Sequence, residues 1–392
     1  MDKKEKKLFL LWTPSYYPRF GGLESATREY ASFLKERGWK VKIISNKYPV
    51  SLPKSEQIDN INIKRYLFLS RPIHYLKNKR LDLFFAYIVF KPITLFRLIF
   101  YFKKNKPSIV NVHFPDNQLI ELVILSLFFK FNLIVSMHGN EVERMSDLKI
   151  KSLRYYLYNK LFFSAEYITG CSQFLLNEFL KTFPQSNSGK CFKVHNGVNE
   201  SYLNHKIIEN KDNQLFTAAR FVPKKGLHLL FKVFQKYNDI PLVIAGGNKK
   251  ELDHLGLKLT KGISIVGRLN SINMIKQLSV SKATLIPSKI EPYGIIIAEA
   301  LCCGSPVVAT NVDGVPEVID IAKKGLNEQE KNIFNKWVKI VEPDSRTLRI
   351  GIEEIINDYN GLKQYNELIP KIRRQFHWSK RLDTFHNRLN EL

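Results

Sequence analysis

Along most of the chain, short apolar runs alternate with longer stretches in which apolar residues return every three or four positions. The runs mark strands buried on both faces, and the longer stretches mark amphipathic helices packed over them. Together they predict βαβ units and parallel sheets. In the first half KLFLLW, VKIISN, SIVNVH, LIVSMHG, EYITGCS and FKVHNGV read as strands, and LESATREYASFLKERG as a helix stopped by Gly38. The pattern restarts after the polar stretch NHKIIENKDNQ. LFTAARF, PLVIAGG, ISIVGR, ATLIPS and SPVVATN are then strands, with helices GLHLLFKVFQKY, SINMIKQLSV and YGIIIAEALCCG between them. The expectation is an α/β protein of two doubly wound domains, residues 1–205 and 206–375. A last helix, HWSKRLDTFHNRLNEL, forms a segment 376–392.

Ligands gather at the carboxyl ends of parallel strands, and several chemically able residues stand there. His113 and His138 close two of the first-half strands, and Asp116 follows the first of them. Gly21 and Gly22 lie between the first strand and its helix, where paired glycines let a ligand near the helix N-terminus or simply make a tight turn. In the second half, Arg220 ends a strand and Lys225 stands five residues on, beside Gly226. A guanidinium fork and an ammonium so placed suit the oxygens of a diphosphate.

The segment IEPYGIIIAEALCCGSPVV sets Glu291 and Glu299 eight residues apart in apolar surroundings. With a helix starting near Tyr293 they differ by roughly 12 Å along its axis, about the reach from a hexose to the ribose of one nucleotide sugar. Carboxylates accept paired hydrogen bonds from vicinal hydroxyls, and a helix start seats an anion. The plain alternative is two solvated helix-end acids.

Composition narrows the classes. A chain of 392 residues with 44% hydrophobic content is globular and too long for one core. Its four cysteines lack metal-ligand spacing and read as buried thiols of a reducing compartment. MDKKEKKLFLLW reads as a first strand and not a signal peptide, so a cytoplasmic protein is expected. The net charge of +25 asks for an anionic partner. Residues 61–106 hold eleven Lys/Arg and one acid, Asp82, among many Phe, Leu, Ile and Tyr. That mixture suits an anionic membrane surface, with a buried helix under a solvated basic face as the alternative. Lys91, Pro92 and Arg97 interrupt the longest apolar run, so no crossing is expected. No zinc spacing or RNA-recognition signature supports a nucleic-acid partner, and the absence of G-x-G-x-x-G argues against a nicotinamide enzyme.

Taken together, PSKIEPYGIIIAEALCCGSPVVATNVDGVPEVI, ARFVPKKGLHLL, VIAGG, SIVGR, VHNGVN and the amino-terminal GGLES resemble the retaining glycosyltransferases of family 4. The resemblance runs from about Lys7 to Ile319. It implies the GT-B fold, two Rossmann-like domains facing a central cleft, with the last helix returning to the first domain. It implies that Glu291 contacts donor sugar hydroxyls, Glu299 the ribose, and Arg220 and Lys225 the diphosphate. Pro292, Tyr293, Gly294 and Ile295 would line the donor seat. Gly22, with Gly21, and His138 would close over the donor, making His138, Arg220, Lys225 and Glu291 the catalytic set. Asn196 and Gly197 match the family's hinge-proximal NG element, and His113 and Asp116 are acceptor-side candidates.

The partners implied are a UDP- or GDP-sugar and a glycan or lipid-linked saccharide at the inner face of the membrane, with no metal and no other cofactor. Three departures stand out: Tyr293 where Phe is usual, Asp313 where a second glycine is common, and no NG-apolar turn after Ile319. Two other readings remain open. One is a same-fold enzyme of another reaction, such as a sugar-nucleotide epimerase or glucan synthase. The other is a non-enzymatic basic membrane-binding protein.

Overall fold

The structure is a computed structural model that describes residues 7–19, 21–69, 72–235, 240–357 and 359–392. The charged start of the chain, the basic Arg71, and the end of the GLHLLFKVFQKY helix past residue 235 lie outside these. The chain forms two compact units. One runs to Val194 and takes back Leu382–Leu392, and the other is His195–Arg381. The division falls ahead of the polar stretch around residue 205. Asn199–Leu203 already packs in the second unit, where Val198 N–H donates to Phe376 O at 2.8 Å.

Among the described residues the first unit is built on an eight-stranded sheet in the order β3-β4-β2-β1-β5-β6-β7-β8. Its strands are β1 (Leu8–Thr13), β2 (Lys40–Asn46), β3 (Ser55–Ile58), β4 (Ile61–Tyr66), β5 (Ile109–His113), β6 (Asn132–Met137), β7 (Tyr167–Gly170) and β8 (Cys191–Lys193). All neighbours are parallel except β3 with β4. The β3–β4 hairpin escaped the periodicity because β3, SEQI, is a polar edge strand with no core face. The last helix, Trp378–Leu389, gives this unit Leu382, Phe385 and Leu389. Phe385 packs on Phe9 and Tyr30, and Arg37 pairs with Asp383.

The second unit's sheet is parallel throughout, in the order β11-β10-β9-β12-β13-β14. Its strands are β9 (Asp212–Ala218), β10 (Leu242–Ala245), β11 (Ile263–Gly267), β12 (Ser281–Ile286), β13 (Val307–Thr310) and β14 (Val338–Val341). β1 lies between β2 and β5, and β9 between β10 and β12, so each sheet reverses its winding at its first strand. A crevice opens there at the carboxyl ends.

The apolar segment of the first unit forms one 25-residue helix, Leu81–Asn105, capped by Lys106 at φ 43°. Asp82 lies in its first turn and Lys103 and Lys104 in its last, which complements the helix dipole. Against the sequence expectation, this helix is long and apolar enough to cross a membrane, and only a small part of it is buried. The interrupting residues do not break it. Pro92 is accommodated inside the helix, Lys91 pairs at 2.7 Å with the fully buried Glu121, and Arg97 lies over the Tyr66 ring. Thr94, Leu98 and Phe102 are the buried residues, and the Thr94 hydroxyl donates to Leu67 O at 3.1 Å. The helix is therefore docked along one side.

Burial raises the Glu121 carboxyl's pKa, which the Lys91 ammonium opposes. Lys91→Met should leave Glu121 buried without its counter-ion and destabilise the first unit by about 3–5 kcal/mol. Lys91→Met/Glu121→Leu should recover most of that loss in chemical denaturation.

Candidate active site

In the second unit the chemistry gathers at the reversal point of the sheet. Arg220 follows β9, and Lys225 ends a short 3-10 turn, Pro223–Lys225. Gly226 sits at φ 68°, and a Cβ there would fall 1.8 Å from Pro287 O. Only glycine lets these two loops touch. Lys289 N–H and Ile290 N–H both donate to Lys224 O, at 2.8 and 3.2 Å. The loop after β9 and the loop after β12 are thus one rigid body. Between them lies a cavity of about 170 Å³ lined by Arg220, Lys225, Ser288, Glu291, Ile295 and Ile296 among others.

Glu291 is buried and held from both sides. Its Oε2 accepts from Lys225 Nζ at 2.5 Å and from Ser288 Oγ at 2.9 Å. Its backbone N–H donates to Asp313 Oδ2 at 2.7 Å, while Gly314 N–H donates to Glu291 O at 3.1 Å. Asp313 takes a left-handed conformation, φ 49°, to do this. A Cβ on Gly314 would meet Pro292 O at 2.2 Å, so the loop approaches as closely as backbone allows. The departure from glycine at 313 therefore has a structural task, positioning the Glu291 backbone. Tyr293 likewise uses its extra hydroxyl, donating to Asn196 O at 2.8 Å. Gly197 beside it is required by the Trp378 ring, 2.7 Å from where a Cβ would stand.

The helix after this loop is Ile295–Cys302, with Gly294 as its cap at φ 91°. It starts later than the sequence reading assumed. Only the rise from Ile295 to Glu299 is helical, about 6 Å, and loop spans the rest. Burial lifts the Glu299 carboxyl to about 8. Among the described residues it takes no hydrogen bond or ion pair. Such a carboxyl is costly unless something else occupies it.

In the first unit, His113 ends β5 and His138 is the first residue beyond β6. Asn111 Nδ2 donates to Ser136 Oγ at 2.9 Å and to Ile134 O at 3.3 Å, leaving Oδ1 to accept from His113 Nε2–H at 2.6 Å. His113 Nδ1, bare of hydrogen, then accepts from His138 Nε2–H at 3.0 Å. The rings stack at 5.1 Å, with Tyr30 edge-on to His113 at 4.8 Å. Burial depresses both histidines: His138 to about 4, and His113 well below its ordinary value, helped by repulsion from His138. The chain of bonds leaves His138 neutral with Nδ1 as its acceptor. Glu141 caps the His138 backbone N–H, and burial pushes its carboxyl up to about 7.

His113 is wholly buried, so it orients His138 and is not itself presented to a ligand. Asp116 is gripped by Arg144, at 3.0 Å, and by Arg154. Gly21 is extended, not left-handed, and caps the Gly22–Glu36 helix. Gly22 has open space where a Cβ would stand. Asn111, Ser288 and the bracing role of Asp313 were not read from sequence. Their only signals were a polar residue inside the buried strand β5 and polar residues in the loops after β12 and β13.

Two family models match the chain: Glycosyltransferase Family 4 over residues 20–202, and Glycosyl transferases group 1 over residues 199–373. The chain belongs to glycosyltransferase family 4. Its fold is GT-B. A glycosyltransferase of Methanocaldococcus jannaschii is 24% identical over 93% of both chains. The capsular polysaccharide biosynthesis glycosyltransferase CapM of Staphylococcus aureus is 24% identical over 75% of this chain and 80% of its own. Among solved structures, Anabaena HepE in complex with UDP and glucose superposes with a TM-score of 0.68 at 14% identity, covering 98% of this chain and all of that one. Arg220, Lys225, Glu291 and Glu299 all lie within the part of the chain that the group 1 model matches.

The bonding around His138 is open to direct test. Histidine-labelled 15N NMR should find it neutral, protonated on Nε2, from pH 8 down to about pH 5. A titration near the ordinary value of about 6.5 would count against the Asn111–His113–His138 chain.

Proposed function

We propose that this family 4 glycosyltransferase is a retaining enzyme. It moves a hexose or N-acetylhexosamine from a UDP- or GDP-sugar to a hydroxyl of a lipid-linked surface glycan such as lipopolysaccharide, O-antigen, capsule or exopolysaccharide. One observation carries the donor half: Arg220, Lys225 and Glu291 line a single cavity at the carboxyl ends of β9 and β12. A guanidinium, an ammonium and a carboxylate there match a diphosphate next to a hydroxyl-bearing sugar. The Anabaena structure with UDP and glucose supports the donor class. The likeness to a capsular polysaccharide enzyme supports the acceptor class.

In the reaction the bond from the sugar's anomeric carbon to the diphosphate oxygen breaks, and a bond to the acceptor oxygen forms on the same face. The acceptor's proton passes to the departing diphosphate. Arg220 and Lys225 meet the charge that grows on that leaving group, so no metal is assigned to this step. Without donor, Lys225 is paired with Glu291. A diphosphate competes for the ammonium and frees the carboxylate for sugar hydroxyls. Glu299 receives the ribose, whose vicinal hydroxyls can donate to both carboxylate oxygens.

A thermal-shift screen with UDP, GDP, ADP and CMP tests the donor half. A diphosphate at a hundred times its Kd adds about 2.7 kcal/mol of stability. No shift with any of them counts against the site. Glu299→Ala should weaken nucleotide binding by about 1.5–3 kcal/mol, and Glu291→Ala should lower turnover more than affinity. Wild-type transfer by both variants overturns the assignment.

Proton linkage gives a further check. Free Glu299 titrates at about 8, and ribose hydroxyls donating to both oxygens favour its ionised form. Binding therefore releases a proton, and affinity rises with pH until about 8 and then levels. Calorimetry in buffers of different ionisation enthalpy should read this release, and Glu299→Gln should remove it.

A further inference from the structure

The Leu81–Asn105 helix presents a face that the donor site does not explain. Phe85, Val89, Phe96 and Phe100, spaced by four, seven and four, fall on one side of it with Ile88 and Ile93 between them. All are exposed, with 61% of Phe85, 61% of Phe96 and 57% of Phe100 open to solvent. This is a continuous apolar stripe and not a scatter of single residues. The opposite side is fastened to its own unit by the Lys91–Glu121 pair, the Thr94 hydroxyl on Leu67 O, and buried Leu98 and Phe102.

The charges say what covers the stripe. Exposed Lys77, Lys79 and Arg80 precede the helix, exposed Lys103 and Lys104 lie in its last turn, and exposed Lys106 caps it. Lys130 is added at the far end, next to Phe129, whose ring packs on Phe102 at 5.6 Å. The one acid in the segment, Asp82, is already bonded to Arg80 in a fork at 2.9 and 2.7 Å. An apolar stripe about 22 Å long between two cationic ends fits acyl chains beneath a layer of lipid phosphates.

We propose that this helix lies in the plane of an anionic bilayer. It inserts Phe85, Val89, Phe96 and Phe100 below the headgroups and sets its two lysine clusters on the phosphates. It does not cross, although its length and apolarity would allow that. Crossing would strip buried Glu121 of Lys91, pull Phe102 from the core and draw one cationic end through the hydrocarbon. Both ends being basic fits a helix that meets one surface along its whole length.

The test uses the full-length protein and sedimentation with vesicles of phosphatidylcholine alone, or mixed equally with phosphatidylglycerol. Binding is expected on the mixed vesicles, weakened by added salt, and at least about tenfold weaker on the neutral ones. Lys103→Gln/Lys104→Gln/Lys106→Gln should weaken it about a hundredfold, and Phe85→Ser/Phe96→Ser/Phe100→Ser should abolish it. Far-UV circular dichroism and the thermal midpoint show that each variant is folded. Alkaline carbonate should release the wild type from cell membranes, and retention would mean a spanning helix and overturn the proposal. So would undiminished binding by the phenylalanine variant. A wild type that ignores vesicles but dimerises through this face would assign the stripe to a second copy. The donor site is read separately by its nucleotide shift, and neither result depends on the other.

Discussion

A parallel sheet sends every strand's carboxyl end to the same edge, and the chain must cross over the sheet to begin each new strand. That constraint builds the second-unit site. Lys225 and Glu291 are 66 residues apart in sequence, yet both follow strands that leave the sheet at one edge, on either side of its reversal point. The same geometry brings His113 and His138 into contact from the neighbouring strands β5 and β6. Loops that would be mobile alone become rigid because their roots are adjacent.

Holding a carboxylate such as Glu291 in a buried loop is expensive unless every polar group around it is matched. Here the matching is extensive. Lys225 and Ser288 hold the side chain, Asp313 holds the backbone N–H and Gly314 donates to the carbonyl. Glu299, one turn into the next helix, has no such company, and its raised pKa records the cost. One carboxylate is positioned by the protein, and the other is buried with no side-chain bond among the described residues.

The first unit uses the same economy differently. His113 and His138 are neutral because they are buried, and their tautomers are fixed by one asparagine amide whose donors are already taken. Its long helix is buried on one side and greasy on the other. A helix of that composition in an aqueous domain needs both a fastening and a cover. The fold supplies the fastening through Lys91, Thr94, Leu98 and Phe102.

Strand positions and the two-unit plan were legible in the sequence because buried parallel strands are short, strongly apolar and separated by helical periodicity. Arg220, Lys225 and Glu291, which line one cavity, stood out by residue type and by following strands, while Glu299 stood out as a carboxylate in an apolar helix. The polar edge strand β3 and the exact start of the Ile295–Cys302 helix were not legible. An edge strand has no core face to pattern, and a helix's first turn is set by its cap conformation, here Gly294 at φ 91°. Sequence also could not say that Asp313 braces Glu291, that Asn111 sets the His138 tautomer, or which side of the 81–105 helix is covered. Those depend on contacts between residues far apart in the chain, and only tertiary packing decides them.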